Sequence, residues 1–127
     1  MTLEMSGKMD KYLLDTNTII YALNSGFRLP KHMYLISIIN EIELLSYHKL
    51  TNDEEYILKK LLSNFTNIQL THEIKSKTIE IRKRYNLKLP DSIVVATAIV
   101  EKATLITSDK KLLNLDFLNV IELNDLR

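Results

Sequence analysis

Acidic residues stand where apolar runs of strand type end and helical patterns begin. Asp15 follows the run KYLL, Asp109 follows TLITS, and Asp91 comes after Pro90 at the start of an apolar segment. A further acid, Glu41 or Glu43, lies in the segment that follows the second apolar run. Clustered carboxylates repel one another and stay ionised when a cation lies between them. Oxygen-only ligands favour Mg²⁺ or Mn²⁺, which lower the pKa of a bound water.

Each of these acids also has a purely structural interpretation. Asp15 and Asp109 can cap the helices that follow, because their side-chain oxygens accept hydrogen bonds from free backbone N–H groups. Asp91 can be an ordinary first-turn acid. Glu43 is harder to explain in this way, because its neighbours are apolar and burying an unpaired carboxylate is expensive. These neighbours are Ile39, Ile42, Leu44 and Leu45.

Helical periodicity does not choose between Glu41 and Glu43. At about 100° per residue, the two acids flank the apolar face of their helix on opposite sides. Periodicity therefore leaves both Glu41 and Glu43 as candidates for the further acid.

The elements that must position these acids alternate along the chain. Apolar runs of strand type lie at residues 11–15, 32–37, 67–70, 104–108 and 119–123. Helical patterns lie at residues 17–25, 38–49, 50–65, 71–85, 90–103 and 109–115. This alternation predicts an α/β fold with a central parallel sheet of about five strands, covered on both faces. Ligands of such sheets bind beyond the carboxyl ends of the strands, where all of these acids are expected.

Composition narrows the class of protein. The chain has 127 residues, which predicts one domain over residues 11–127 after a flexible leader at 1–10. The net charge of +1 argues neither for nor against a nucleic-acid partner. There is no cysteine, which excludes disulfides and thiolate metal sites, and two glycines are too few for a phosphate-binding loop.

No part of the sequence predicts export or membrane insertion. The first residues, MTLEMSGKMD, include acids and no apolar core of a signal peptide. The run IVVATAIV is far shorter than the roughly 20 residues that a membrane span needs. A cytoplasmic protein without a membrane partner is the expectation.

Four pieces of the sequence together resemble the PIN-domain family, particularly the VapC-type toxins of toxin–antitoxin pairs. The pieces are LLDTNTIIYAL, SIINEIELL, LPDSIVVATAI and LITSDKKL, in the order typical of the family. With their spacing they cover about residues 11–122. The resemblance implies a three-layer α/β/α fold and a metal-dependent endoribonuclease of a type II pair. It also implies a homodimer that a cognate antitoxin holds inactive.

The resemblance assigns roles to individual residues. The metal-binding, catalytic acids of the family map onto Asp15, Glu43, Asp91 and Asp109. A Ser-x-x-Thr-x-x-Glu pattern maps onto Ser37, Asn40 and Glu43, which chooses Glu43 over its neighbour and leaves Asn40 where threonine is usual. Asn17 and Thr107 match supporting polar positions. In such a site Mg²⁺ or Mn²⁺ would orient a water molecule for hydrolysis of an RNA phosphodiester.

A basic stretch, IRKRYNLK, precedes the third acid. Its charged residues Arg82, Arg84 and Lys88 are candidates for binding RNA phosphates. The alternative is a solvated helix face with ion pairs four residues apart. These pairs would be Glu73–Lys77 and Glu80–Arg84.

Two other functions remain possible on the sequence. One is a catalytically silent binding module that keeps the fold. The other is a phosphatase of the haloacid-dehalogenase type with Asp15 as nucleophile. That family's D-x-D-x-T motif requires Asp and Thr where this chain has Asn17 and Ile19. Metal titration with an RNA cleavage assay separates the three functions.

Overall fold

The computed structural model describes residues 10–127. The flexible leader expected at residues 1–10 therefore falls, except for the exposed Asp10, outside the described residues. Within residues 10–127, no helix is both long enough and apolar enough to cross a membrane.

Five short strands form one parallel sheet, which confirms the predicted fold class. The strands are β1 Lys11–Leu14, β2 Met33–Ser37, β3 Thr66–Ile68, β4 Thr104–Ile106 and β5 Val120–Ile121. Their order across the sheet is β3-β2-β1-β4-β5, and each neighbouring pair is parallel. Parallel neighbours need long crossover connections, which the helices between the strands supply.

Helices occupy the segments between the strands. They are α1 Thr16–Ser25, α2 Ile38–Leu45, α3 Asn52–Leu62, α4 His72–Arg84, α5 Leu89–Glu101 and α6 Lys110–Leu113. Side chains define where several begin: Thr51 and Glu54 form a reciprocal cap on α3, and Thr71 caps α4. Gly26 ends α1 with a φ of 68°, a left-handed conformation that glycine adopts without steric penalty.

The helices cover both faces of the sheet. Leu13 and Leu105 pack with α4 and α5, whereas their neighbours Leu14 and Ile106 pack with α1 and α3. All four side chains are fully buried. Strands that are buried on both faces have continuous apolar sequences, which explains the runs KYLL and TLI.

The order of the strands reverses beside β1. The chain adds β2 and β3 on one side of β1 and then returns through α4 and α5 to add β4 on the other. In open parallel sheets, ligands bind beyond the carboxyl ends of the strands at such a reversal. The carboxyl edge of β1 and β4 is therefore where this fold provides a site.

Several elements are shorter than their patterns predicted. The helix predicted over 38–49 ends at Leu45, and the one predicted over 50–65 is Asn52–Leu62. The final strand predicted over 119–123 is Val120–Ile121, followed by a 3-10 turn. Leu50 and Phe65, just beyond helix ends, still pack against the core. Apolar periodicity reflects which residues are buried, so it can continue past the end of a helix and make the predicted helix too long.

Candidate active site

Asp15 follows β1 directly and caps α1. Its Oδ1 accepts a hydrogen bond from the backbone N–H of Thr18 at 2.9 Å, so the capping role is real. Its Oδ2 accepts a hydrogen bond from the hydroxyl of Thr107, the residue after β4. Each carboxylate oxygen has two lone pairs, so these two bonds leave Asp15 able to bind a cation.

Thr107 joins two of the acids through one hydroxyl group. Besides donating to Asp15, its Oγ1 accepts a hydrogen bond from the backbone N–H of Asp109 at 3.0 Å. Thr107 is only 1% exposed, so packing also holds this hydroxyl in place. Asp109 in turn caps α6, because its Oδ1 accepts from the N–H of Lys111 at 2.9 Å. One buried hydroxyl thus links the ends of β1 and β4.

Glu43 reaches the same edge of the sheet through Thr16. The Thr16 hydroxyl donates to Oε1 of Glu43 at 2.7 Å and accepts from Nδ2 of Asn40 at 2.9 Å. Because Thr16 directly follows Asp15, this contact brings the carboxylate of Glu43 close to the first acid. The contact favours Glu43 over Glu41, the alternative that periodicity left open.

The expectation that apolar neighbours would bury Glu43 is wrong. Glu43 is exposed, and Ile42 beside it is 54% exposed. The reason is that α2 packs on one side only, with Asn40 and Leu44 as its buried residues. Because Glu43 is exposed, the cost of burying a charge is no argument for a cation beside it. Its hydrogen bond to Thr16 is what connects it to the other acids.

Asp91 lies in the first turn of α5, whose following residues are buried. Burial raises the pKa of the Asp91 carboxyl above its ordinary value. The negative charges of the other three acids raise this pKa further, in the order Asp109, Glu43 and Asp15. The charge of Lys88 acts in the opposite direction. Asp91 is therefore near enough to the other three acids for their charges to act on it.

These four acids share one edge without forming a closed ligand shell. Over residues 10–127, no three His, Cys, Asp or Glu side chains stand close enough together to hold a metal ion as placed. The chemistry of the donors nevertheless fits a hard divalent cation, because all four are carboxylates and Asp91 is destabilised by the charges of the others. A cation between them would offset that repulsion.

The other predicted residues, apart from Thr107, are exposed to solvent. Asn17 is exposed in the first turn of α1, two residues after the first acid, and its supporting role stays a prediction. Arg82 and Arg84 are exposed in the last turn of α4. Lys88 is exposed immediately before α5 and acts electrostatically on Asp91.

The salt bridges predicted along α4 do not form. The pair observed on this helix joins Lys77 to Glu80, three residues away, at 2.7 Å. Glu73 and Arg84 make no salt bridge within residues 10–127. The basic side chains at the end of α4 are therefore not held in salt bridges within the described residues.

Thr16 contacts two residues of this candidate site, and no local sequence pattern singles it out. Its one local signal is a hydroxyl directly after Asp15, and the same signal is typical of an ordinary helix start. Its role depends on Asn40 and Glu43, which lie 24 and 27 positions away in the chain. That contact exists only once α1 and α2 pack together.

An apolar cleft lies away from the four acids. Its volume is about 540 Å³, and Leu23, Phe27, Leu61 and Phe65, at the ends of α1 and α3, are among its lining residues. None of the acids lines this cleft. Its surface suits an apolar partner, and the charged edge of the sheet suits a polar one.

Comparison with known families gives one match. Residues 12–118, most of the chain, match the model of the PIN domain. A comparison with curated proteins found no match.

Comparison with solved structures gives similar folds over nearly the whole chain. A chain of a toxin–antitoxin complex from Klebsiella pneumoniae is 31% identical, with a TM-score of 0.72 over 87% of this chain and 95% of that chain. VapBC2 from Rickettsia felis, bound to a promoter DNA fragment, matches at 24% identity and a TM-score of 0.75, covering 88% and 98%. DNA-bound VapBC from Salmonella typhimurium matches at 18% identity and a TM-score of 0.74, covering 90% and 98%. The last two similarities concern the fold alone.

Proposed function

This chain belongs to the PIN-domain family, and we propose that it is a Mg²⁺- or Mn²⁺-dependent endoribonuclease acting as the toxin of a type II toxin–antitoxin pair. The relative from Klebsiella pneumoniae supports the toxin assignment, because its structure is a toxin–antitoxin complex. The four acids at the carboxyl edge support the nuclease assignment.

One observation carries the nuclease proposal. Asp15 and Asp109 follow β1 and β4, beside the point where the order of the strands reverses. Thr16 links Glu43 to the first of them, and the charges of these three acids raise the pKa of Asp91. Structural capping explains Asp15 and Asp109 separately, but it does not explain why Asp91 and Glu43 share their edge. A common cation is the simplest reason for this arrangement.

The residues of the site have distinct roles in this proposal. The acids that would hold the cation are Asp15, Glu43, Asp91 and Asp109. A bound Mg²⁺ or Mn²⁺ supplies an activated water and stabilises the leaving oxygen of a phosphodiester. Thr107 sets the spacing of the acids at the ends of β1 and β4, since it hydrogen-bonds to both. Thr16 orients Glu43, and Asn40 orients Thr16.

Replacing Asp15 by asparagine tests the proposal. Cleavage of single-stranded RNA should require Mg²⁺ or Mn²⁺, stop in EDTA, and fall in Asp15→Asn by more than the roughly 10–100-fold typical of losing an outer-shell partner. The melting temperature should change little: the asparagine oxygen can still accept from Thr18 and one repulsive charge is gone, which offsets the loss of the carboxylate oxygen that accepts from Thr107.

Asp53→Asn is the matched control, because Asp53 is exposed in the first turn of α3. It should keep wild-type cleavage. The proposal is wrong if the wild-type protein cleaves no RNA at any metal concentration, which is the outcome expected of a silent binding module. A phosphatase has little support, since the position where its motif requires threonine is Ile19, fully buried in the core.

Exposed apolar residues support protein partners. Ile20 and Tyr21 on α1 are 41% and 54% exposed, and Tyr56 and Ile57 on α3 are 69% and 53% exposed. The apolar cleft opens between these same two helices. We propose that a second copy of the chain and a cognate antitoxin cover these surfaces. The cytoplasm, where RNA and an antitoxin are both available, is the proposed location.

A further inference from the structure

The corner between α4 and α5 combines exposed apolar and basic side chains. A cavity of about 450 Å³ there is lined by Ile79, Arg82, Lys83, Tyr85 and Leu89, among others. Ile79, Tyr85 and Leu89 are 50%, 38% and 49% exposed. Large apolar side chains beside positive charges are typical of surfaces that bind the bases and phosphates of unpaired nucleic acid.

Tyr85 is held as a rigid ring at this corner. It stacks on Phe117 with ring centroids 4.7 Å apart and an angle of 27° between the planes. Phe117 itself packs against the core, so the stack is anchored to the body of the molecule. An aromatic ring that is supported on one face and partly exposed is preorganised to stack with a base.

The basic residues of this corner make no close ion pair in the described part of the chain, although the charge of Arg84 acts on Glu80 and that of Lys88 acts on Asp91. Arg82, Lys83, Arg84 and Lys88 make no salt bridge over residues 10–127, whereas Lys59 and Lys77 do. Three of the four lie in the last turn of α4, where the helix dipole favours positive charge. The dipole does not account for Lys88 or for the exposed ring beside these charges.

The corner is continuous with the acids at the carboxyl edge. Tyr85 and Lys88 are three residues apart and thus at most about 11 Å apart along the chain. Lys88 acts electrostatically on Asp91. A strand of nucleic acid that reaches the acids can therefore extend onto this corner.

We propose that the α4–α5 corner binds the single-stranded RNA substrate, with an unpaired base stacked on Tyr85 and phosphates held by Arg82, Lys83 and Lys88. This inference rests on the proposed function only for the position of the cleaved bond at the four acids. The bases of duplex RNA are covered by their neighbours and have no free face to offer a tyrosine ring. The corner therefore selects unpaired RNA.

The first test measures binding without cleavage. Fluorescence anisotropy with a labelled single-stranded RNA in EDTA should show binding that weakens about tenfold in Tyr85→Leu, within the range seen for loss of base stacking. Tyr85→Phe keeps the ring and should bind within about twofold of wild type. Tyr47→Leu removes a tyrosine that is 55% exposed outside this corner and should not change binding. A duplex of the same sequence should bind more weakly and be insensitive to Tyr85→Leu.

The second test separates stacking from charge. Replacing Arg82 and Lys83 by alanine should weaken binding and lower the slope of log affinity against log salt by about one for each lost phosphate contact. Lys60→Ala, on α3, removes an exposed charge elsewhere and should leave the slope unchanged. Melting temperatures of all variants show whether any loss of binding reflects unfolding.

A third measurement uses the wild-type chain and so does not depend on the variants folding. Ultraviolet cross-linking with RNA that contains 4-thiouridine should attach to the peptide that includes Tyr85. Unchanged binding in folded Tyr85→Leu, or cross-links confined to other peptides, would overturn the inference and leave the corner for a protein partner. Binding that depends on Tyr85 without metal-dependent cleavage would overturn the proposed function instead.

Discussion

At the scale of single residues, Asp15 shows how one side chain can serve both the fold and the site. One oxygen caps α1 through the N–H of Thr18, and the other holds the hydroxyl of Thr107. Capping fixes the carboxylate at the end of β1, so the folding role creates the position that the proposed chemistry needs. Asp109 likewise caps α6 through one side-chain oxygen. Asp91 differs, because burial and like charges destabilise its ionised form.

The raised pKa of Asp91 predicts how stability depends on pH in metal-free buffer. A higher pKa in the folded state means that the native protein binds this proton more tightly than the unfolded chain does. The free energy of unfolding should therefore fall as pH rises from the unfolded pKa of about 3.9 through the higher folded pKa. Above that range, Asp91→Asn should be more stable than wild type, and the advantage should shrink in acid.

Urea unfolding in EDTA between pH 3 and pH 7 measures this dependence (roughly the range of carboxyl titration). The control is Asp116→Asn, which replaces an exposed acid and should follow wild type at each pH. An advantage of Asp91→Asn that does not change with pH, or that grows in acid, would contradict the assignment of repulsion to this residue.

At the scale of elements, the site depends on how α1 and α2 meet. Asn40 is 1% exposed and donates to Thr16, which donates to Glu43. The Oδ1 atom of Asn40 is buried and has no hydrogen-bond partner in the part of the chain that is described. The contact between the two helices is therefore polar, and one of its buried hydrogen-bond acceptors has no donor.

Replacing Thr16 by valine tests this contact, because valine keeps the shape and removes the hydroxyl. The buried amide of Asn40 would lose its acceptor, so the free energy of unfolding should fall by about 1–3 kcal/mol. RNA cleavage should also fall, because Glu43 loses the donor that orients it. Urea unfolding and initial cleavage rates measure the two effects.

Thr16→Ser keeps the hydroxyl and is the control for this change. It should stay close to wild type in both measurements. If Thr16→Val is as stable and as active as Thr16→Ser, the hydrogen bonds that join Asn40, Thr16 and Glu43 contribute neither to stability nor to cleavage.

At the scale of the whole molecule, different surfaces suit different partners. The carboxyl edge holds four acids, the α4–α5 corner is basic, and exposed apolar residues lie on α1 and α3. The net charge of +1 hides this separation, since opposite charges cancel in the total. The proposed RNA and protein partners would therefore bind at separate places on the chain.

The exposed apolar residues of α3 predict self-association. Light scattering of the wild-type protein at micromolar concentration should give about twice the chain mass of 14.8 kDa. Replacing Tyr56 and Ile57 together by serine should shift the mass toward the monomer, because burial of apolar area drives association. Lys75→Ala removes an exposed charge from α4, which carries neither of these residues, and should leave the dimer unchanged. A monomeric wild-type protein that co-purifies with no small partner would contradict this prediction.

The sequence by itself was enough to predict the class of fold and that Asp15 and Asp109 follow strands of one sheet. Alternating strand and helix patterns require a parallel sheet, and all strands of such a sheet end at one edge. Capping residues such as Asp15, Thr51 and Thr71 are local signals, so their roles could be predicted from a few neighbouring positions. The lengths of elements were less predictable, because residues such as Phe65 are buried from irregular backbone.

Only the tertiary structure decided which residues complete the site. Thr107 binds Asp15 from 92 positions away, because the order of the strands places β4 beside β1. Thr16 meets Glu43 through the packing of α1 on α2, and Phe117 supports Tyr85 through the packing of a distant loop. Local patterns record whether a residue is buried or capped. They do not record which distant side chain it meets, because that depends on strand order and helix packing throughout the molecule.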